Sequence, residues 1–200
     1  MTILLVRHGE TVDNASHTFQ MPDSRLSENG NTQAAQLAEH LAQFNISEIL
    51  CSDYFRTKQT ASHITEKSGI QPNYTELLRE RNFGDIRGRP YAQLDFDPFA
   101  LDYQPVNGES WLTFDNRISL AWEHIISLAA RAKGDILIVT HGFVCHSITA
   151  NHASLLAGLE APSRWGNTSV TEIEMNSPWL ITRLNCTEHL GRSTESSGQV

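Results

Sequence analysis

Apolar positions along the chain come in two patterns, short unbroken runs and longer stretches with a 3.6-residue period. Residues 3–6 read Ile-Leu-Leu-Val, a run of the length and kind expected for a strand buried on both faces. It stops at Arg7-His8-Gly9. Beyond Ser27, whose hydroxyl can cap a helix, Ala34, Leu37, Ala38 and Leu41 fall on one helical face. Residues 46–51 predict a second strand, and Thr57, Ala61 and Ile64 mark a second helix. The clearest helical period runs from Phe114 through Ile118, Ala121, Trp122 and Ile125 to Ala129. Residues 136–140 predict another buried strand and 143–156 the helix after it. Residues 170–175 and 179–184 predict a closing strand pair turned at Asn176-Ser177-Pro178.

Strands alternating with helices, without an internal repeat or long linker, point to a layered α/β fold. Residues 1–186 are expected to form a single domain. Residues 82–108 hold Pro90, Pro98 and Pro105 and are expected to be an irregular excursion serving as a lid or substrate wall. Residues 187–200 are rich in Ser, Thr, Gly and Glu without a period, and a disordered tail is expected there.

Composition narrows the function classes. Two hundred residues suffice for a sizeable core. The net charge of −8 argues against a nucleic-acid partner. The first apolar run is too short for a signal peptide or a membrane span, so no membrane partner is expected. Cys51, Cys145 and Cys186 are an odd number without metal-type spacing. They read as reduced, mostly buried small hydrophobes of a cytoplasmic protein. No HExxH or Cys/His cluster appears, and His141 and His146 are badly spaced for one helix face, so neither a metal nor a cofactor is expected.

The candidate chemistry lies where predicted strands end. The first strand runs into Arg7-His8-Gly9-Glu10-Thr11, the second into Ser52-Asp53 with Arg56 just beyond, and the strand at 136–140 into His141-Gly142. In a parallel sheet these carboxyl ends share one edge, where ligand crevices form. Two guanidiniums, two imidazoles and a nearby helix amino terminus describe a pocket for a phosphoryl group. Taken alone, Arg56 reads as a solvated helix residue and Glu80 as a surface carboxylate between Arg79 and Arg81. The two His-Gly pairs at two strand ends carry the argument.

Leu5-Val6-Arg7-His8-Gly9-Glu10-Thr11, with Asn14 following, resembles the signature of the histidine phosphatase superfamily, also called phosphoglycerate mutase-like. Leu26-Ser27-Glu28-Asn29-Gly30 with Gln33-Ala34, then Ser52-Asp53-Tyr54-Phe55-Arg56 with Gln59-Thr60-Ala61, resemble its next blocks. Leu78-Arg79-Glu80 with Phe83-Gly84, Gly108-Glu109-Ser110, Thr140-His141-Gly142 and Asn167-Thr168-Ser169 continue the series in order. The resemblance implies a three-layer α/β sandwich with a mainly parallel central sheet flanked by helices. It implies His8 as nucleophile, Arg7, Arg56 and a protonated His141 as phosphoryl ligands, and Glu80 as general acid and base. Asn14 and Gly142 follow as substrate-binding candidates. The implied reaction is hydrolysis of a small phosphorylated metabolite through a phosphohistidine, without metal or cofactor. The alternatives are a phosphoglycerate mutase-type transfer and a non-catalytic binding module. The mutase is disfavoured because such enzymes usually carry a longer excursion before the second His-Gly. A non-catalytic module should have lost one of Arg7, His8, Arg56, Glu80 or His141.

The sequence also departs from the family pattern. Asp13 stands where an aromatic residue is frequent, Arg25 where proline is usual, and Ile86-Arg87 where Trp-Glu is common. Phe143 and His146 stand in place of a frequent Gly and Arg. These departures bear on the substrate pocket. Arg79, Arg81, Arg87 and Arg89 crowd beside Glu80, and Arg87 and Arg89 are expected to meet a second negative charge on the substrate. The bland reading is solvation, or pairing with Asp85, Asp95 and Asp97. No motif sets an oligomeric state.

Overall fold

The computed structural model describes residues 1–191 of the chain. Its centre is a seven-stranded mixed sheet in the order β3-β2-β4-β1-β6-β7-β5. The strands are β1 (Thr2–Arg7), β2 (Ile46–Ser52), β3 (Asn73–Thr75), β4 (Asp135–Thr140), β5 (Ser154–Leu155), β6 (Val170–Glu174) and β7 (Leu180–Cys186). The helices are α1 (Val12–Ala15), α2 (Glu28–Leu41), α3 (Phe55–Ser68), α4 (Trp111–Ala129) and α5 (Gly142–Asn151). β3, β2, β4 and β1 run parallel, while β6 pairs antiparallel with both β1 and β7.

Strand alternation builds the layers. Ile3 and Leu5 of β1, with Ile136 and Ile138 of β4, pack under α4 and α5 against Ile118, Trp122, Ile125 and Ile148. The intervening Leu4, Val6, Leu137 and Val139 face α2 and α3, meeting Leu37, Leu41, Ala61 and Ile64. Both faces of β1 and β4 are therefore dry, which is why their sequences are continuous apolar runs. Each such buried side chain contributes roughly 1.5–3 kcal/mol of transfer free energy. The expected three-layer α/β sandwich is the fold observed.

A third, smaller cluster lies over the sheet edge. Phe19, Phe83 and Ile86 are buried together, with Tyr91, Leu94, Phe99, Tyr103 and Phe143 packed against them. The excursion at 82–108 is irregular apart from 3-10 turns at Gly84–Ile86 and Tyr91–Gln93. Its aromatic residues give it a core of its own, so it stands as a wall.

Two expectations need correction. The helix expected over 143–156 ends at Asn151, because Ser154 and Leu155 leave it to pair in parallel with Leu180 and Ile181 of β7. The disordered tail expected over 187–200 does not hold for its first residues: Glu188–Leu190 forms a 3-10 turn whose Leu190 is buried. The rest of that expected tail, residues 192–200, lies outside the described residues.

Candidate active site

The register of the sheet brings the site together. Arg7 pairs with Thr140, so His8 and His141 emerge side by side from β1 and β4. Their rings lie edge to face at 5.2 Å. β2, paired with β4 on its other edge, ends at Ser52 on the same rim, and α3 begins just after it with Arg56 in its first turn. β6 runs the other way, so the loop before it, Asn167 to Ser169, returns to that rim as well.

His8 is held from every side. Its amide donates to Thr140 O at 2.9 Å, and its carbonyl accepts from Thr168 N at 3.2 Å and Asn167 Nδ2 at 3.1 Å. Its Nδ1 lies 2.7 Å from Gly9 O. A carbonyl can only accept, so Nδ1 carries the proton and the neutral ring keeps its lone pair on Nε2. Arg56 Nε donates to that Nε2 at 3.2 Å. Burial first, then the charges of Arg56 and Arg7, push His8 well below the usual histidine range. The imidazole is therefore neutral and aimed.

Arg7 and Arg56 are buried guanidiniums. Arg7 Nη1 donates to Trp165 O, and Arg56 Nη1 to Met21 O at 3.0 Å. Burial lowers Arg56 to about 10, which leaves it charged at neutral pH. Glu80 faces them from the segment after Leu78. Its Oε1 accepts from Arg81 N at 3.0 Å, and its Oε2 from Phe143 N at 3.2 Å in the first turn of α5. Those donors and the arginines favour the carboxylate, yet burial outweighs them and raises Glu80. The balance leaves fixed positive charge waiting for an anion.

His141 differs from expectation. Burial, reinforced by Arg56, His8 and Arg7, holds it well below the usual histidine range, so it is neutral. Its Nε2 lies 2.8 Å from Ser52 Oγ. Asn14 is buried beside them; its Oδ1 accepts from Thr11 N at 3.2 Å and Asn167 Nδ2 at 3.4 Å. Its Nδ2 finds no protein acceptor among the described residues, a buried donor suited to a substrate oxygen. Gly142 opens α5 directly behind His141.

The arginines around Glu80 do not form one cluster. Arg79 pairs with Asp53 and Glu76. Arg81 spends its guanidinium on the carbonyls of Glu109, Pro98 and Tyr103, pinning the excursion. Arg87 does line the cleft with Arg56 and Glu80, its Nη2 donating to Tyr54 Oη at 2.8 Å. Arg89, expected beside it, is exposed and donates to Gln93 O at 3.2 Å. The turn at Arg87–Gly88, with Gly88 at φ 81°, and the bridge of Pro90 to Thr18 direct it away from the cleft. Neither Arg87 nor Arg89 pairs with Asp85, whose carboxylate accepts from Asn107 Nδ2.

Several supporting residues carry no signal of their own outside the motifs. Tyr54 lies between guanidiniums, with Arg56, Arg79 and Arg87 over its ring at 5.0, 5.4 and 5.8 Å. Thr60 Oγ1 accepts from Gly9 N at 3.0 Å. Ser52 and Asn167 hold the two histidines. All stand inside the ordered blocks named above, the one sequence signal that could have found them.

The family profile described as histidine phosphatase superfamily (branch 1) matches residues 3–187. The chain belongs to the histidine phosphatase superfamily. Within it, the chain is 32% identical over 191 residues to the probable phosphoglycerate mutase GpmB of Yersinia pestis, covering 90% of this chain and 88% of that protein. Bacillus stearothermophilus YhfR superposes with a TM-score of 0.79 at 31% identity, over 94% of this chain and 98% of that one. A mycobacterial glucosyl-3-phosphoglycerate phosphatase in complex with VO3 superposes with a TM-score of 0.73 at 28% identity, over 86% and 90% of the two chains. Members of this superfamily act on small phosphorylated substrates. No helix among the described residues is long and apolar enough to cross a membrane.

Proposed function

We propose that the protein is a phosphatase that hydrolyses a small phosphomonoester through a phosphohistidine on His8. The observation that carries this reading is the His8 tautomer: Nδ1–H is spent on Gly9 O, and Nε2 keeps its lone pair beside Arg56. In the first step Nε2 bonds to phosphorus as the bond to the leaving oxygen breaks, and Glu80 gives that oxygen its proton. In the second, Glu80 takes a proton from water, which attacks phosphorus, breaks the N–P bond and restores neutral His8. Arg7 and Arg56 offset charge on the transferring oxygens. Asn14 Nδ2 and the amides opening α5 at Gly142 are further donors to them. A bound dianion raises the proton affinity of His141, so His141 becomes cationic only with substrate in place.

The test is a rapid quench of enzyme with labelled phosphoester. An acid-labile, base-stable phosphoenzyme is expected, absent from His8→Ala together with turnover. An adduct or near-normal turnover in His8→Ala would overturn the assignment. The 32% identity to a probable mutase favours a second reading, transfer of the phosphoryl group to another hydroxyl. Phosphate exchange dependent on a bisphosphoglycerate, in place of phosphate release, would select it.

A further inference from the structure

The cleft over Glu80 and Arg56 encloses about 30 Å³ between Phe19, Phe83, Tyr91, Phe99 and Phe143. That is room for only about two or three waters, and His8 itself is only 1% exposed. The phosphoryl group can be gripped here, but an alcohol of any size has to go elsewhere. Phe99 and Phe143 are also the wall of a second cavity, of about 360 Å³, completed by Leu101, Trp111, Phe114, Asp115, His146 and residues further along α5. That volume lies within the range of small-molecule sites, roughly 300–1,000 Å³.

The partition between the cavities is a pair of rings at 5.6 Å. Its halves are held differently. Phe143 is fixed on α5, its amide on Glu80 and its ring against Trp111 at 5.3 Å. Phe99 sits in the irregular excursion, between the turn at Tyr91–Gln93 and α4. The ring that separates the cavities is thus tied to the acid that protonates the leaving oxygen.

We infer that the second cavity is the subsite for the alcohol half of the substrate, and that it selects a neutral, ring-bearing, hydroxylated alcohol. This rests on the phosphatase reading above. The aromatic wall offers faces for a ring. At the floor, Asp115 Oδ1 accepts from Ser147 Oγ at 2.8 Å, leaving its other oxygen for a substrate hydroxyl. Among the described residues no arginine or lysine lines the cavity, and His146 stands at its exposed rim. The guanidiniums behind its walls, Arg81 over Trp111 and Arg117 over Phe114, are committed to protein carbonyls and to Glu109, so a second phosphate or a carboxylate would face Asp115. Two departures from the family pattern, Phe143 and His146, both lie on this cavity.

Ala150 lines the far end of the cavity on the exposed side of α5, away from His8 and Glu80. The experiment compares kcat/KM for ethyl phosphate, 3-phosphoglycerate and a nucleoside 5′-monophosphate in wild type, Ala150→Phe and Leu101→Lys. Wild type should favour the nucleoside ester over both small substrates by about tenfold or more. Ala150→Phe should remove most of that preference. Leu101, 89% exposed, tolerates lysine without a folding cost, and Leu101→Lys should raise 3-phosphoglycerate relative to ethyl phosphate. If wild type hydrolyses all three alike, or if Ala150→Phe lowers all three equally with Leu101→Lys without effect, the subsite is refuted. If wild type hydrolyses none, the phosphatase reading itself fails.

Discussion

Glu80 is the residue whose surroundings pull hardest in opposite directions. Its two carboxylate oxygens accept amide hydrogens from Arg81 and Phe143, and two guanidiniums face it, yet burial raises its proton affinity. A general acid at neutral pH needs that outcome. His8 needs the opposite, a lowered affinity, and burial with two arginines supplies it. For alkyl substrates kcat/KM should therefore rest on neutral His8 and protonated Glu80. Activity should fall at low pH as His8 takes a proton, and fall again at higher pH as Glu80 loses one. Glu80→Gln should abolish the alkaline limb due to Glu80 and cost alkyl phosphates about a hundredfold to ten-thousandfold. With p-nitrophenyl phosphate, whose leaving group hardly needs a proton, the loss should be much smaller. Equal losses on both substrates would move the acid role away from Glu80.

At the scale of the element, the loop after β1 is held by the start of α2. Ser27 Oγ accepts from Gly30 N at 2.9 Å, capping the helix, and donates to Glu10 Oε1 at 2.7 Å. Gly30 leaves no room for a side chain: a Cβ there would lie 1.9 Å from Glu10 O. The helix thus packs backbone to backbone against the residues that follow His8. Ser27→Ala should lower stability by about 1 kcal/mol, the usual cost of a lost cap, read as a shift in urea midpoint with unchanged slope. Turnover should also fall by more than that stability loss explains, because the Glu10 tie goes with the cap. A variant with wild-type stability would show that water replaces the cap without penalty.

For the molecule as a whole, keeping imidazoles neutral in the interior makes stability depend on pH. Burial is the largest cause lowering His8, His40, His141, His152 and His189, the last to about 4 with His40 stacked on it at 5.2 Å. Each binds its proton more weakly in the folded chain than in the unfolded one, whose histidines titrate near 6.5. Between those two values the unfolded chain holds more protons, so stability rises with pH across that window. The contribution is complete above about 6.5 and is lost as pH falls below it towards the folded values. Urea unfolding at pH 7.5, 6.5 and 5.5 should show stability dropping mainly over the last interval. A flat profile across it would mean that these rings are hydrated in solution.

The amino-acid sequence by itself determined the strands β1, β2 and β4, the helices α2, α3 and α4 and the closing pair β6–β7. Burial on one or both faces leaves a direct periodic trace in such elements. It also placed Arg7, His8, Arg56, Glu80 and His141 in one ordered set of motifs, because chemistry of this kind needs fixed residue types at strand ends. Short elements left no such trace. α1 has four residues held by a capping box at Thr11, and β3 and β5 are brief edge strands whose pairing is decided by their neighbours. The end of α5 is hidden for that reason, since pairing with β7 overrides a helical pattern. Only the tertiary structure decided the charge states and the pocket, because both depend on what surrounds a residue in space. Burial among arginines made His141 neutral, the turn at Arg87–Gly88 took Arg89 out of the cleft, and aromatic residues distant in sequence met over Glu80 to close it.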